Sequence, residues 1–223
     1  MKKIIIFGSG DHSKVILSEI IQIKDYEVLG FIDEYKAKDS IIETFDSKEY
    51  KVLGKINDLQ NIFDHETYGI IGIGLNYLRL QVCEQISRIY TDMKWATIIS
   101  SNSTINGSVK IGEGTIILSG SIINTGTLIG KHCIINTKSS IDHDNKINDY
   151  VSTGPGVITG GNVTIGKCSH LGIRSTINQQ INIGNDTVVG ANSLCIKNCD
   201  SNSVYYGSPA KKIKTRKIDE NYL

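Results

Sequence analysis

"TINGSVKIGEGTIILSGSIINTGTLIGKHCIINTKSSIDHDNKIN", residues 104–148, sets an isoleucine at every sixth position: Ile105, Ile111, Ile117, Ile123, Ile129, Ile135, Ile141 and Ile147. The same register returns at Ile165, Leu171, Ile177, Ile183 and Val189, with Thr153, Thr159 and Cys195 as its interruptions. Six is neither a helical period nor a plain alternation. Gly, Asn or Asp often follows the aliphatic, as at Gly112, Gly130, Gly166, Gly172, Gly184 and Gly190. Four residues after the aliphatic stands a small or β-branched residue, such as Val109, Thr115, Ser121, Cys133, Ser139, Val163, Ser169 or Ser193. One inward aliphatic per short strand, a small residue near each corner and a residue that tolerates positive φ describe a chain wound into a triangular coil. Three hexads make one turn, so residues eighteen apart stack. A β-sandwich rich in Ile and Gly does not keep one phase over some ninety residues.

Before Ser100 the grammar differs. Strand-like "KKIIIFG", "YEVLGFID", "YGIIGIG" and "KWATIIS" alternate with helix-like "SKVILSEIIQI", "INDLQNIF" and "NYLRLQVCEQISRIY". Apolar runs ending in Gly or Asp, separated by helical periodicity, predict a small parallel sheet with crossover helices. The expected organisation is an α/β half-Rossmann domain over 1–100, a parallel β-helix over 101–200 and a tail over 201–223. The tail's "TRKIDENYL" is polar and charged, and is expected to be mobile or to contact another subunit.

Composition narrows the function classes. The 223 residues are 39% apolar and 21% charged, with 24 basic against 23 acidic side chains for a formal net charge of +1. No field of one sign points to nucleic acid or an anionic membrane. No apolar run reaches the roughly 20 residues that span a bilayer, and "MKKIIIFGSGDH" turns polar too early for a signal peptide, so a cytoplasmic location is expected. Cys83, Cys133, Cys168, Cys195 and Cys199 are odd in number and form no CxxC, which favours free thiols.

The chemistry concentrates in "SSIDHDNKIN", residues 139–148, where Asp142, His143 and Asp144 adjoin. Ile141 points inward, which leaves His143 and Asp144 on the outer surface after the turn at Asp142. Burying an imidazole between two acids would be costly. An adjacent carboxylate orients the ring and stabilises its protonated form, the arrangement of a general base near neutral pH.

Several stretches carry a resemblance. The coil resembles the left-handed parallel β-helix of the hexapeptide-repeat acyltransferases, and the handedness comes from that resemblance. "NTKSSIDHD" resembles the N-T-x-(S/A)-x-(I/V)-(D/E)-H-(D/E) motif of sugar acetyltransferases in this superfamily. With "IIIFGSGDHSKV", "GFIDEY", "GIGLNYLR" and "YYGSPAKKIK" in order around it, the chain is similar to the family of bacterial UDP-4-amino-sugar N-acetyltransferases and sialic acid O-acetyltransferases.

The resemblance implies His143 as general base, Asp144 as its acidic partner and the backbone of Gly161, in "ITGGNVTIG", as the oxyanion donor. It implies acetyl-CoA in a groove between subunits of a homotrimer, beside Gly172, Ile173 and Val189. Relatives often carry a second His nine residues beyond the base, touching acetyl-CoA, where this chain has Ser152. It implies further that the N-terminal loop holds the nucleotide of a nucleotide-linked amino sugar through Gly10, Asp11 and His12. Asp33 and Glu34 would contact base or ribose, the stretch from Gly74 to Asn76 would form the other wall, and Asn136 and Asp142 would touch the sugar. Asp11 stands where relatives often carry Gly.

Other readings stay open. Gly8-Ser9-Gly10 followed by a helix, with Asp33 ending the second strand, echoes a dinucleotide fingerprint, but Ser13 occupies the third glycine's place and the domain is short. Zinc chemistry through His132, His143 and His170 is disfavoured because they are not eighteen apart, and no metal is expected. O-acetylation of a nonulosonic acid and a silent nucleotide-sugar-binding scaffold are the remaining alternatives.

Overall fold

The computed structural model describes residues 1–64 and 66–222. Two compact units emerge: Met1–Gly74 with Leu78–Ile98, and Leu75–Tyr77 with Ile99–Leu223.

The first unit is the expected α/β domain with one added feature. Strands β1 (Lys2–Phe7), β2 (Tyr26–Ile32), β3 (Ile41–Phe45), β4 (Lys48–Gly54), β5 (Tyr68–Ile71) and β6 (Lys94–Trp95) form one sheet in the order β3-β4-β2-β1-β5-β6. Helix α1 (Asp11–Ile23) links β1 to β2, and α2 (Asn76–Ile89) links β5 to β6. Ile4, Ile5, Ile6 and Phe7 are buried because β1 lies between β2 and β5. Covering both faces of a parallel strand accounts for its unbroken apolar run. "INDLQNIF" forms only a short 3₁₀ turn, Ile56–Asn61. The β3–β4 hairpin was not legible in the sequence: its two-residue loop is Asp46-Ser47, both at positive φ (45° and 67°), without the Asn-Gly signature of such turns.

The second unit is the left-handed β-helix. Two-residue strands from Ile98–Ile99 to Leu194–Cys195 pair in parallel with strands eighteen residues away, giving three sheets. Ile123 pairs with Ile141, and Ile141 with Thr159; Ile147 pairs with Ile165. The inward positions from Ile117 to Cys195 are almost completely buried, Thr153, Thr159 and Cys195 included, so the interruptions keep the register. Each buried aliphatic contributes about 1.5–3 kcal/mol.

The glycines work differently from expectation. Positive φ falls on the third residue after the inward positions from Ile111 to Val189, at Gly114, Gly120, Gly126, His132, Lys138, Asp144, Tyr150, Gly156, Asn162 and onward to Asn192. The glycines directly after the aliphatic are not at positive φ; they permit close stacking. A Cβ on Gly172 would stand 2.6 Å from the Ala191 nitrogen one coil on. The left-handed residues are held by a repeating bond to the preceding coil, as in Asp144 N–H to Thr125 O (3.0 Å) and Asn162 N–H to His143 O (3.0 Å).

Four of the small corner residues share one bond as well. Their hydroxyls donate to the carbonyl fifteen residues on, as Thr115 does to Gly130, Ser121 to Asn136, Thr127 to Asp142 and Ser169 to Gly184. The tail, expected to be mobile or to contact another subunit, is folded back on the coil through Tyr222. An antiparallel hairpin, Ser203–Gly207 with Ala210–Thr215, leads to the buried Arg216, which donates to the carbonyls of Asp186 and Glu220. The Tyr222 hydroxyl accepts the Asn76 N–H at 3.0 Å.

Candidate active site

His143 follows the strand Ser140–Ile141, at a corner of the coil. Its imidazole is half exposed, and Nδ1 stands 2.9 Å from Asp144 Oδ2. A carboxylate there places the proton on Nδ1 and leaves Nε2 as the acceptor. The hydrogen bond that His143 donates to Asp144 raises the His143 pKa above its ordinary 6.5; partial burial opposes, and the charges of Asp142 and Asp144 add.

Two glycines on adjacent coils make room for this pair. A Cβ on Gly161 would lie 2.5 Å from both Nε2 and Cε1 of His143, so the ring rests directly on the Gly161 backbone. A Cβ on Gly126 would meet Asp144 Oδ1 at 2.1 Å. The Gly161 carbonyl accepts from Gln180 N–H at 2.9 Å, and among the described residues its own N–H has no acceptor. At some equivalent corners that N–H is capped, as by Asp142 Oδ1 on His143 (2.8 Å) or by Asp149 Oδ1 on Lys131 (2.8 Å), whereas at Ile173 and Gln179, as at Gly161, it has no acceptor among the described residues. The sequence reads Gly160-Gly161 and offers no such acceptor.

Asp142 is partly engaged. Its Oδ1 accepts from His143 N–H and from Asn124 Nδ2 (3.1 Å), and the His143 N–H is the main cause of its lowered pKa. Asn136 caps its own turn, with Oδ1 accepting from Thr137 N–H at 2.8 Å. Thr153 and Thr159, the interruptions of the repeat, accept the N–H groups of Asn136 (2.9 Å) and Asp142 (3.2 Å).

Of the positions associated with acetyl-CoA, Ile173 presents an exposed side chain and Gly172 is a buried stacking position. Val189 is fully buried in the coil's core, because it occupies the inward register position; its side chain reaches no outer groove. Ser152 is buried too, with its hydroxyl 2.5 Å from Asn76 Oδ1. Asn76, expected in a nucleotide wall, is fully buried, and its Nδ2 donates to the carbonyls of Cys168 and Ser169. The physical reason is mutual: each polar group supplies the partner that the other needs when buried.

The α/β unit contains a cleft of about 480 Å³ lined by Gly8, Asp33, Glu34, Tyr35, Ile56 and Leu78, among others. Asp33 is not an open ribose acceptor. Its Oδ2 accepts from Ser9 N–H (3.0 Å) and Ser9 Oγ (2.6 Å), its Oδ1 from the N–H groups of Tyr35 (2.9 Å) and Lys36 (3.1 Å). Burial alone would raise its pKa, but those bonds outweigh it and the pKa is lowered. Asp33 thereby fixes the Gly8-Ser9-Gly10 loop, whose Ser9 carbonyl also accepts from Lys36 Nζ at 2.8 Å.

Glu34 is exposed, with Oε1 on the Ile56 N–H at 3.0 Å. Gly10 and Asp11 are exposed at the start of α1, which has no side-chain cap. His12 is turned inward; burial, helped by the Arg79 charge, lowers its pKa to about 4, so it is neutral at physiological pH. Buried Arg79 went unremarked in the sequence although it closes "GIGLNYLR"; its Nη1 donates to the carbonyls of Ile73 and Gly74, each at 2.9 Å. All five cysteines are buried and stand outside any disulfide. Among the described residues no group of three or more His, Cys, Asp or Glu is arranged to hold a metal ion, and no helix is long and apolar enough to cross a membrane.

Residues 3–86 match the PglD N-terminal domain. The chain thus carries a PglD-type N-terminal domain followed by a left-handed β-helix. The acetyltransferase domain of PglB from Neisseria gonorrhoeae FA1090 is similar over 96% of this chain and 100% of that one, with 24% identity and a TM-score of 0.86. PerB from Caulobacter crescentus, a structure in complex with CoA and GDP-perosamine, covers 96% of this chain and 98% of its own at 25% identity, TM-score 0.86. A chloramphenicol acetyltransferase from Klebsiella aerogenes is 38% identical over 60 residues, a stretch of 27% of this chain that spans only 29% of that relative's length.

Gly161→Ala tests the stacked ring. The backbone there lies outside the left-handed region, so alanine folds, while its methyl displaces the imidazole. Acyl transfer should fall about 10- to 100-fold with the thermal midpoint little changed, measured by thiol release and by calorimetry.

Proposed function

We propose that the chain is an acetyl-CoA-dependent N-acetyltransferase acting on the amine of a nucleotide-linked amino sugar, a UDP-4-amino sugar being the substrate implied by the resemblance. The observation that carries this is the His143 ring, held by Asp144 and lying on a backbone whose N–H at Gly161 is uncommitted. The likeness to PerB, whose structure holds CoA and GDP-perosamine, supports the substrate class.

The amine nitrogen attacks the acetyl carbonyl carbon of the thioester. His143 Nε2 accepts the amine proton, and Asp144 stabilises the imidazolium that forms. The Gly161 N–H donates to the oxygen that gains negative charge; one such donor contributes about 2.7–4 kcal/mol in comparable sites. The C–S bond then breaks, the amide remains on the sugar, and coenzyme A leaves as the thiol with the proton from His143. Transfer is direct, so no cysteine is needed. The nucleotide lies in the cleft beside Glu34, with its phosphates at the uncapped start of α1 and the loop that Asp33 fixes.

Exposed Ile122 and Ile158 flank Ser140 on the face that leads to His143, an apolar stripe suited to a second copy. The active assembly in this reading is a homotrimer with acetyl-CoA at the subunit seam, working in the cytoplasm.

Purified protein should release coenzyme A when given acetyl-CoA and a UDP-, GDP- or dTDP-linked 4-amino sugar, and His143→Ala should slow this about 100-fold or more. Turnover only with free nonulosonic acids, or none with any amine, would defeat the reading. Because His143 must be neutral to accept a proton, kcat/KM should fall as pH drops through its raised pKa. Asp144→Asn removes the group that raises it, so that limb should move to lower pH while the plateau drops. Light scattering should give the mass of three chains; a monomer with full turnover would refute the shared site.

A further inference from the structure

Among the corner residues of the coil, Asn145 is the one amide; the others from Ser103 to Ser193 are Ser, Thr, Val, Cys or Ile. The corner hydroxyls of Thr115, Ser121, Thr127 and Ser169 each donate to the carbonyl fifteen residues on. Asn145 makes that bond, to Gly160 O at 2.9 Å, and with the same Nδ2 reaches back to Asp142 O at 2.7 Å and His143 O at 3.2 Å. The base-bearing turn of one coil is thus tied to Gly160, the neighbour of Gly161, on the next. The His143 carbonyl is held a second time by Asn162 N–H at 3.0 Å.

The side chain is 1% exposed, and its Oδ1 is buried with no hydrogen-bond partner among the described residues. Thr115, Ser121, Thr127 and Ser169 at equivalent corners leave no such orphan atom, although Ser175 does. The amide is retained at a place where the fold itself asks for less, and its extra bonds go to the peptide units on either side of the imidazole.

We propose that Asn145 is a positioning residue: it fixes the spacing between the His143 turn and the Gly160-Gly161 backbone, and so the reach from Nε2 to the Gly161 N–H. This rests on the function proposed above. It touches no reacting atom and acts through the peptide groups it holds.

The test uses the full chain with acetyl-CoA and the amino-sugar nucleotide that it acylates. Asn145→Ser and Asn145→Thr restore the ordinary corner and should fold with a thermal midpoint equal to or above that of the parent. They should lose about 10- to 100-fold in kcat, since small misplacements at a reacting centre have effects of that size. KM for both substrates should stay within about twofold, because ground-state binding is untouched. In a His143→Ala background the same change should produce no further loss. A parental kcat in Asn145→Ser beside a slow His143→Ala would overturn this inference alone, as would a loss that adds in full to that of His143→Ala or a lowered midpoint. Parental turnover in His143→Ala would overturn the proposed base, and the positioning role with it.

Discussion

Everything in the coil depends on one constraint: parallel strands paired at an offset of eighteen residues, with an inward aliphatic over an inward aliphatic. Ile105, Ile123, Ile141, Thr159 and Ile177 form one such stack. A shift of one residue would turn each inward side chain outward, so the register is strongly fixed. That register decides which residues on successive coils face each other. It sets Asp144 against Gly126 and His143 against Gly161 without any dedicated element.

Departures from the repeat gather where the chemistry is proposed. Thr153 and Thr159 replace inward aliphatics and use their hydroxyls to hold Asn136 and Asp142, the residues that open the turns next to the base. Asn145 replaces a small corner residue and leaves a buried amide oxygen unpaired, a feature that typically costs about 1–3 kcal/mol. Gly160-Gly161 offers no side-chain cap of the kind that Asp142 and Asp149 place on the same N–H at two other corners. Local rules are broken together, around one imidazole, which is the pattern expected where function competes with stability.

The α/β unit shows the same economy of loops. Asp33 saturates its carboxylate on the Gly8-Ser9-Gly10 loop, and Arg79 holds the carbonyls at Ile73 and Gly74. Residues that a motif would hand to the ligand instead stiffen the backbone beside the cleft. Glu34 and the start of α1 remain exposed.

By itself the sequence determined the coil, its period, the register of its interruptions, and the α/β alternation before it, because each is written in the periodicity of apolar residues. It also marked Asp142-His143-Asp144 as a surface cluster, since an inward Ile141 forces the residues after it outward. It did not determine the β3–β4 hairpin, whose Asp46-Ser47 turn lacks a glycine, nor the reason for the glycines after each aliphatic. Burial of Asn76 against Ser152, saturation of Asp33 and the inward setting of Val189 as a core residue were decided in three dimensions. The physical reason is that a polar side chain's role is fixed by the partners within about 3 Å of it. Those partners come from stacking coils and adjoining loops that are distant in sequence, where no local pattern records them.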